Sequence, residues 1–171
     1  VETALNVREL QNGSYVCDDD PGEPGTGEPR ISITDEEGKL LGFLCAGKRV
    51  LEIGTGLGVS TDFLACHAAK VVTVDVDPWV HTNIWPGLHK AVQCVAERDE
   101  VEGIFDVVFI DARHTTRDTR HDIQYARAKC PKGLIIVHDA RIEAVHKAFD
   151  GDWHVIPTTH GVALQYVGWA E

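Results

Sequence analysis

The stretch Val50-Leu-Glu-Ile-Gly-Thr-Gly-Leu-Gly-Val-Ser60 decides the fold. It begins inside a short apolar run, Lys48 to Ile53, which reads as a buried strand. The run ends in Gly54-Thr-Gly-Leu-Gly58, where glycines let the backbone turn sharply and approach a ligand closely, because no Cβ stands in the way. Val59 to Ala69 then reads as a helix. A strand, a glycine turn and a helix in succession open an α/β unit, and open α/β sheets bind ligands beyond the carboxyl ends of their strands.

The same alternation continues on both sides. Upstream, Thr34 followed by Glu37 is a capping-box signature that starts a helix running to about Cys45. Downstream, Val71 to Asp75 is a second strand, and Asp77-Pro78-Trp79 marks a helix start. Ala91 to Glu97 gives a third strand, Phe105 to Asp111 a fourth and Gly133 to Asp139 a fifth. Helices are expected at Thr116 to Lys129 and Arg141 to Phe149. Trp153 to Thr158 and Gly161 to Val167, separated only by Thr159-His160, form a hairpin. Continuous β-branched strands alternating with helices imply a parallel sheet covered on both faces. The predicted fold is α/β: a doubly wound, mostly parallel, seven-stranded sheet with an antiparallel last strand.

The chain of 171 residues, 43% apolar, suffices for one domain with a full core. Residues 1–30 are expected to be an N-terminal arm and 31–171 the folded domain. Within the arm, Cys17 to Pro29 is rich in Pro, Gly and acids and reads as a mobile loop, a solvated linker in preference to a segment ordered by ligand. The chain opens Val1-Glu-Thr-Ala4, without a starting Met, so a processed or trimmed end is expected. No basic-then-apolar leader is evident, and no apolar run approaches the roughly 18 residues that span a bilayer. A membrane partner is therefore not expected. A net charge of −11, with no basic cluster beyond Gly47-Lys48-Arg49, argues against nucleic acid, which needs a positive face. The five cysteines contain no C-x-x-C pair, so free thiols in a reducing, cytoplasmic setting are expected. Cys45, Cys66 and Cys94 read as core fillers. Trp79, Trp85 and Trp153 offer apolar surface for a homo-oligomer, although the sequence does not decide that state.

Two cofactor classes compete for the glycine turn. A dinucleotide fold wants G-x-G-x-x-G, whose third glycine permits tight helix packing. Here the pattern is G-x-G-x-G, with Val59 at the third dinucleotide glycine. Glu52 also stands two residues before Gly54, where it would repel a pyrophosphate but attract a cationic amino acid moiety. An NAD-dependent oxidoreductase is thus disfavoured.

Val50 to Ser60 resembles motif I of class I methyltransferases dependent on S-adenosylmethionine (SAM), a Rossmann-like family. Asp75, 21 positions after Gly54, matches the family's acid at the end of the second strand, where a carboxylate can accept both ribose hydroxyls. The resemblance covers roughly Leu40 to Val167. It implies SAM as cofactor, held by Glu52, Gly54, Thr55, Gly56, Gly58, Ser60, Asp75, Val76 and Asp111. Asp99 matches the family's adenine-contacting acid only loosely.

The fourth and fifth strands end in Asp111-Ala-Arg-His114 and His138-Asp139, next to where a methyl donor would sit. This pattern resembles small-molecule O-methyltransferases acting on sugars and antibiotics. It implies Asp111 and Asp139 as ligands of a divalent cation, Mg²⁺ or Mn²⁺, and His114 with Asp111 as catalytic residues, His114 being the base. The chemistry is coherent: a hydroxyl beside an oxygen-liganded cation is oriented and its pKa lowered, and imidazole suits proton removal near neutrality. Two positions depart from the pattern. His138 stands where sugar enzymes have an acid, and reads as a strand-end histidine bonded to a loop. Ala140 replaces the Asn of catechol-type enzymes. His160, in the hairpin turn, is assigned no role. The expected function is methyl transfer to a hydroxyl of a small molecule; the alternative is a SAM-binding module or subunit without catalysis.

Overall fold

The computed structural model describes residues 7–22, 27 and 30–168. The main sheet contains β3 (Arg49–Ile53), β4 (Lys70–Val74), β5 (Val92–Val95), β6 (Val107–Ile110), β7 (Gly133–Val137), β8 (His154–Ile156) and β9 (Val162–Val167). Its strand order is β5-β4-β3-β6-β7-β9-β8. Every neighbouring pair is parallel except those made by β9, which runs antiparallel to both β7 and β8. Between β3 and β6 the order reverses direction, and the crevice at such a switch point is where an open sheet takes its ligand.

Strand alternation sends successive residues to opposite faces. Val50 of β3 packs with Leu41 of α1 (Asp35–Cys45) and Leu64 of α2 (Val59–His67), while Leu51 and Ile53 pack with Ile123 and Ala126 of α4 (Thr116–Lys129). The apolar stripe of α4 therefore faces the sheet although the helix is polar overall. Gly38 and Gly42 let α1 lie close on α2, since a Cβ at either would collide with Phe63 or His67.

Several boundaries differ from the sequence reading. The helix expected over Arg141 to Phe149 shrinks to α5 (Glu143–His146), because the chain leaves β7 through Asp139 with a left-handed φ of 56°. Backbone bonds from Ala140 to Gly161 and from Arg141 to His160 then tie the segment to the hairpin turn before a helix can start. Of the three expected core fillers only Cys45 is buried in the core; Cys66 is exposed and Cys94 half-buried. All five thiols are free.

The described residues of the arm, most of them before the Pro/Gly-rich stretch, make specific contacts. β1 (Val7–Glu9) and β2 (Tyr15–Cys17) form an antiparallel hairpin. Tyr15 accepts the Ser32 amide on its carbonyl and donates its hydroxyl to Asp35, 2.9 Å away. Buried Arg30 pairs with Asp20 and with Asp77, the N-cap of α3 (Pro78–Asn83), so the acidic residues have a specific partner. The rest of the Pro/Gly-rich stretch lies outside the described residues. Among the described residues, no helix is long and apolar enough to cross a membrane.

Candidate active site

The glycine turn forms one half of the site. Gly54 has φ +96°, and a Cβ there would lie 2.1 Å from the Asp111 carbonyl oxygen, so the turn after β3 presses backbone to backbone on the end of β6. Gly56 has φ +51° and nothing within 4 Å of a built Cβ, which leaves open space on the cavity side. Gly58 closes the turn against Ile84 and Leu88, away from the cavity. The carboxylate of Asp75 clasps the loop: Oδ2 accepts the amides of Thr55 and Gly56 at 3.0 and 3.1 Å, and Oδ1 accepts that of Asp77 at 2.9 Å. Val76 is exposed at the lip.

Glu52 is placed behind the loop rather than in the cavity. Alternation along β3 turns it under α2, fully buried, where Ser60 and Thr61 each donate a hydroxyl at 2.6 Å. Burial pushes its pKa up to about 7, against the pull of those hydroxyls. It braces the loop and the helix start from below, and of its two partners only Ser60 also reaches the cavity.

The other half lies beyond β6 and β7. His114 Nε2 stands 2.8 Å from Asp139 Oδ2 and 3.6 Å from Asp111 Oδ1. The contact is off the line of a hydrogen bond, so that nitrogen is buried without a satisfied partner. His138 bonds Asp139 through Nδ1 (3.2 Å), which also lies 3.3 Å from Asp111, and its Nε2 stands 3.3 Å from Glu37, buried and, like that of His114, without a hydrogen-bond partner. Burial alone would lower the imidazole pKa values and raise those of the carboxylates. The mutual attraction outweighs it: His114 is pushed up to about 10 and His138 well above its usual range, while Asp111 and Asp139 are lowered.

Glu37 connects this cluster to distant parts of the chain. Its Oε1 accepts from the Thr158 hydroxyl (2.7 Å) and the His160 amide (2.8 Å). Its Oε2 accepts from the amide and the hydroxyl of Thr34, both at 3.0 Å, and faces His160 Nδ1 at 2.9 Å. The far nitrogen of His160 shares a 3.2 Å hydrogen bond with the buried Ser14 hydroxyl of the arm. Burial opposes ionisation of Glu37, but His138, His160 and the backbone amides hold it well below the usual carboxylate range.

A single cavity of about 510 Å³ joins the two halves, running from Thr55, Gly56 and Asp75 to Asp111, His114 and Asp139. Its rim includes Asn12 and Ser32 from the arm side. Against this geometry, a methyltransferase-domain family model matches residues 51–140, more than half of the chain. The chain belongs to that family. The methyltransferase domain is 35% identical over 106 residues to a catechol O-methyltransferase of Niastella koreensis, the match covering 50% of this chain and 48% of that protein. The chain thus spans about half the length of this curated relative.

Solved structures share the domain's fold. O-methyltransferase TomG of Streptomyces achromogenes, involved in tomaymycin synthesis and crystallised with SAM, superposes with a TM-score of 0.64 at 19% identity, covering 95% of this chain and 92% of its own. A candidate O-methyltransferase from Klebsiella pneumoniae gives 0.65 at 20% identity, covering 80% and 81%. The match to such structures establishes the Rossmann-like sheet with its antiparallel strand.

The domain brings together Thr55, Gly56, Ser60, Asp75, Val76, Asp111, His114 and Asp139 around one space, as the sequence reading grouped them; Glu52 and Gly58 stand outside it. Gly54 lines it as well. The reading missed Glu37, His138 and His160 as connected site residues. Glu37 carried only its capping signature, which accounts for it locally, and nothing in residue spacing pairs it with a turn 121 residues away. Asp111, His138 and Asp139 present one ligand atom each, all within 4.8 Å of one another. Two carboxylates and an imidazole nitrogen facing one another make a donor set that fits a divalent cation.

Proposed function

We propose that this methyltransferase transfers a methyl group from SAM to a hydroxyl of a small molecule with the help of a divalent cation. The observation that carries the reading is the continuity of one cavity between the glycine turn with Asp75 and the cluster of Asp111, His114 and Asp139. Its volume is in the range of small-molecule sites and suits a nucleoside cofactor with a compact acceptor. Gly56 leaves room for close approach of the methionine part, and Asp75, with three of about four acceptor positions used by amides, retains one for a single ribose hydroxyl rather than both. Bound SAM supplies an electrophilic methyl on a sulfonium.

The acceptor oxygen attacks that carbon. An O–C bond forms as the S–C bond breaks, the sulfur keeps the electron pair, and the hydroxyl proton passes to a base. His114 lies at the right edge, but Asp111 and Asp139 hold it protonated near neutrality. A cation held by those carboxylates would draw on their charge and would free His114 Nε2 to take the proton. A cation there would be held by Asp111 and Asp139, and would orient the acceptor and lower its pKa.

The test is calorimetry with S-adenosylhomocysteine. Wild type should bind, and Asp75→Ala should bind at least about tenfold more weakly, as expected when a charged hydrogen-bonding group is lost. Absence of wild-type binding, or unchanged affinity in Asp75→Ala, overturns the assignment. Product analysis with SAM and a panel of hydroxylated acceptors then addresses catalysis; binding without turnover favours a cofactor-binding module.

A further inference from the structure

The position before Asp139 is occupied by an imidazole with an unusual setting. The His138 ring is buried, and it is flanked by carboxylates on both edges: Asp111 and Asp139 at Nδ1, Glu37 at Nε2. A neutral imidazole carries one proton, and its place is set by the acceptor that the protonated nitrogen faces. Glu37 cannot turn away, because its two oxygens are fixed by Thr34, Thr158 and His160. In this structure Nε2 stands 3.3 Å from Glu37 Oε2 without a hydrogen bond, while Nδ1 is bonded to Asp139 Oδ2 at 3.2 Å; an ion held by Asp111 and Asp139 would take the Nδ1 lone pair and leave the ring proton on Nε2, beside Glu37. A carboxylate behind a histidine whose other nitrogen meets a metal is the arrangement that fixes ring orientation and raises ligand basicity.

The cluster of Glu37, His138 and His160 also gathers three ligand atoms within 4.8 Å. Glu37 is already saturated there by five donors, so an ion on that side would have to break most of them. The cavity side has no such obstacle. Asp139, at a left-handed φ of 56°, and Asp111 point oxygens at Nδ1, and no Lys or Arg is paired with either of them among the ion pairs of the described residues.

We propose that His138 Nδ1 is a direct ligand of the divalent ion held by Asp111 and Asp139, with Glu37 as the positioning residue behind it, and that the site therefore takes a transition metal in preference to Mg²⁺. The inference rests on the metal-assisted reading above and specifies its donor set. A nitrogen ligand matters because Mg²⁺ is a hard ion served by oxygen, whereas first-row transition ions accept imidazole well.

The experiment uses the full chain with Mn²⁺ as the probe. Mn²⁺ should bind at least tenfold more tightly than Mg²⁺ by calorimetry, and pulsed electron paramagnetic resonance should show a directly coordinated ¹⁴N. That coupling should vanish in His138→Gln and persist in His114→Gln. Glu37→Gln should weaken Mn²⁺ by about 10–100-fold, the usual cost of losing such a partner, with the circular dichroism spectrum unchanged. Because the wild-type spectrum alone answers the nitrogen question, misfolding of a variant does not protect the proposal. Mn²⁺ bound without nitrogen coupling, equal affinities for Mn²⁺ and Mg²⁺, or a coupling that follows His114 would each overturn it. Failure of either ion to bind while S-adenosylhomocysteine still does overturns the metal site and leaves SAM binding standing; failure of both overturns the underlying reading.

Discussion

Two glutamates of this domain are equally buried and differently charged. Glu52, beneath the glycine turn, meets two hydroxyls, and its pKa is pushed up to about 7. Glu37, beneath the acceptor side, meets two imidazoles, two hydroxyls and two backbone amides, and stays ionised far into acid. Burial alone would neutralise both, so the donors decide. The contrast separates the halves of the cavity. The half at the glycine turn is braced by a carboxyl group that is only marginally ionised at neutral pH, and the half beyond β6 and β7 rests on a buried carboxylate that its donors hold ionised.

Removing that charge is the strongest way to break the contrast. Glu37→Ala leaves the Thr34, Thr158 and His160 donors without their acceptor and removes one of the three carboxylates around His138, and unfolding in urea should show a loss of about 3–5 kcal/mol, the usual penalty for breaking a buried ionic network. A loss below about 1 kcal/mol would mean that the network is decoration. Glu52 should behave in the opposite sense. Its folded pKa is raised from 4.5 to about 7, so its contribution is full below pH 4.5 and is lost as pH rises through 7. Glu52→Gln lacks that loss. Between pH 5 and 8 its stability should therefore improve relative to wild type by about 2 kcal/mol. A pH-independent difference in melting curves would show that Glu52 does not titrate there. The mildest change is Thr34→Ala, which removes a cap hydroxyl and one of Glu37's donors but leaves the others. About 1 kcal/mol is expected from denaturant titration, and a much larger cost would place the cap at the centre of the acceptor network.

The halves also differ in how readily they are read from sequence. The cofactor half is built from neighbours: Asp75 reaches amides 20 and 19 residues back, across two adjacent parallel strands, and glycine chemistry marks the turn. Strand-end carboxylates Asp111 and Asp139 were legible for the same reason, since apolar runs locate the strands and the parallel order aligns their ends. Glu52 misleads because its proximity to the glycines in sequence does not reveal which face of β3 it occupies. Counting alternation from Val50, which packs on α1 and α2, would have turned it away from the cavity. The acceptor half is assembled from three remote segments, and Thr34-x-x-Glu37 explains itself as a cap before any longer-range role need be considered. In the arm, composition does not show that Asp20 has a specific partner, which becomes visible only where Arg30 lies between Asp20 and Asp77.

The span from Glu37 to Thr158 and His160 also governs the order in which a ribosome can deliver a working site. Glu37, Asp75 and the glycine turn emerge early and can pair locally, yet the donors that keep Glu37 charged arrive 121 and 123 residues later. Until the β8–β9 turn has been synthesised, a growing chain can bury α1 only by neutralising Glu37 or by leaving that helix start in water. The donors of the β8–β9 turn therefore reach Glu37 only after the glycine turn and Asp75 have been made.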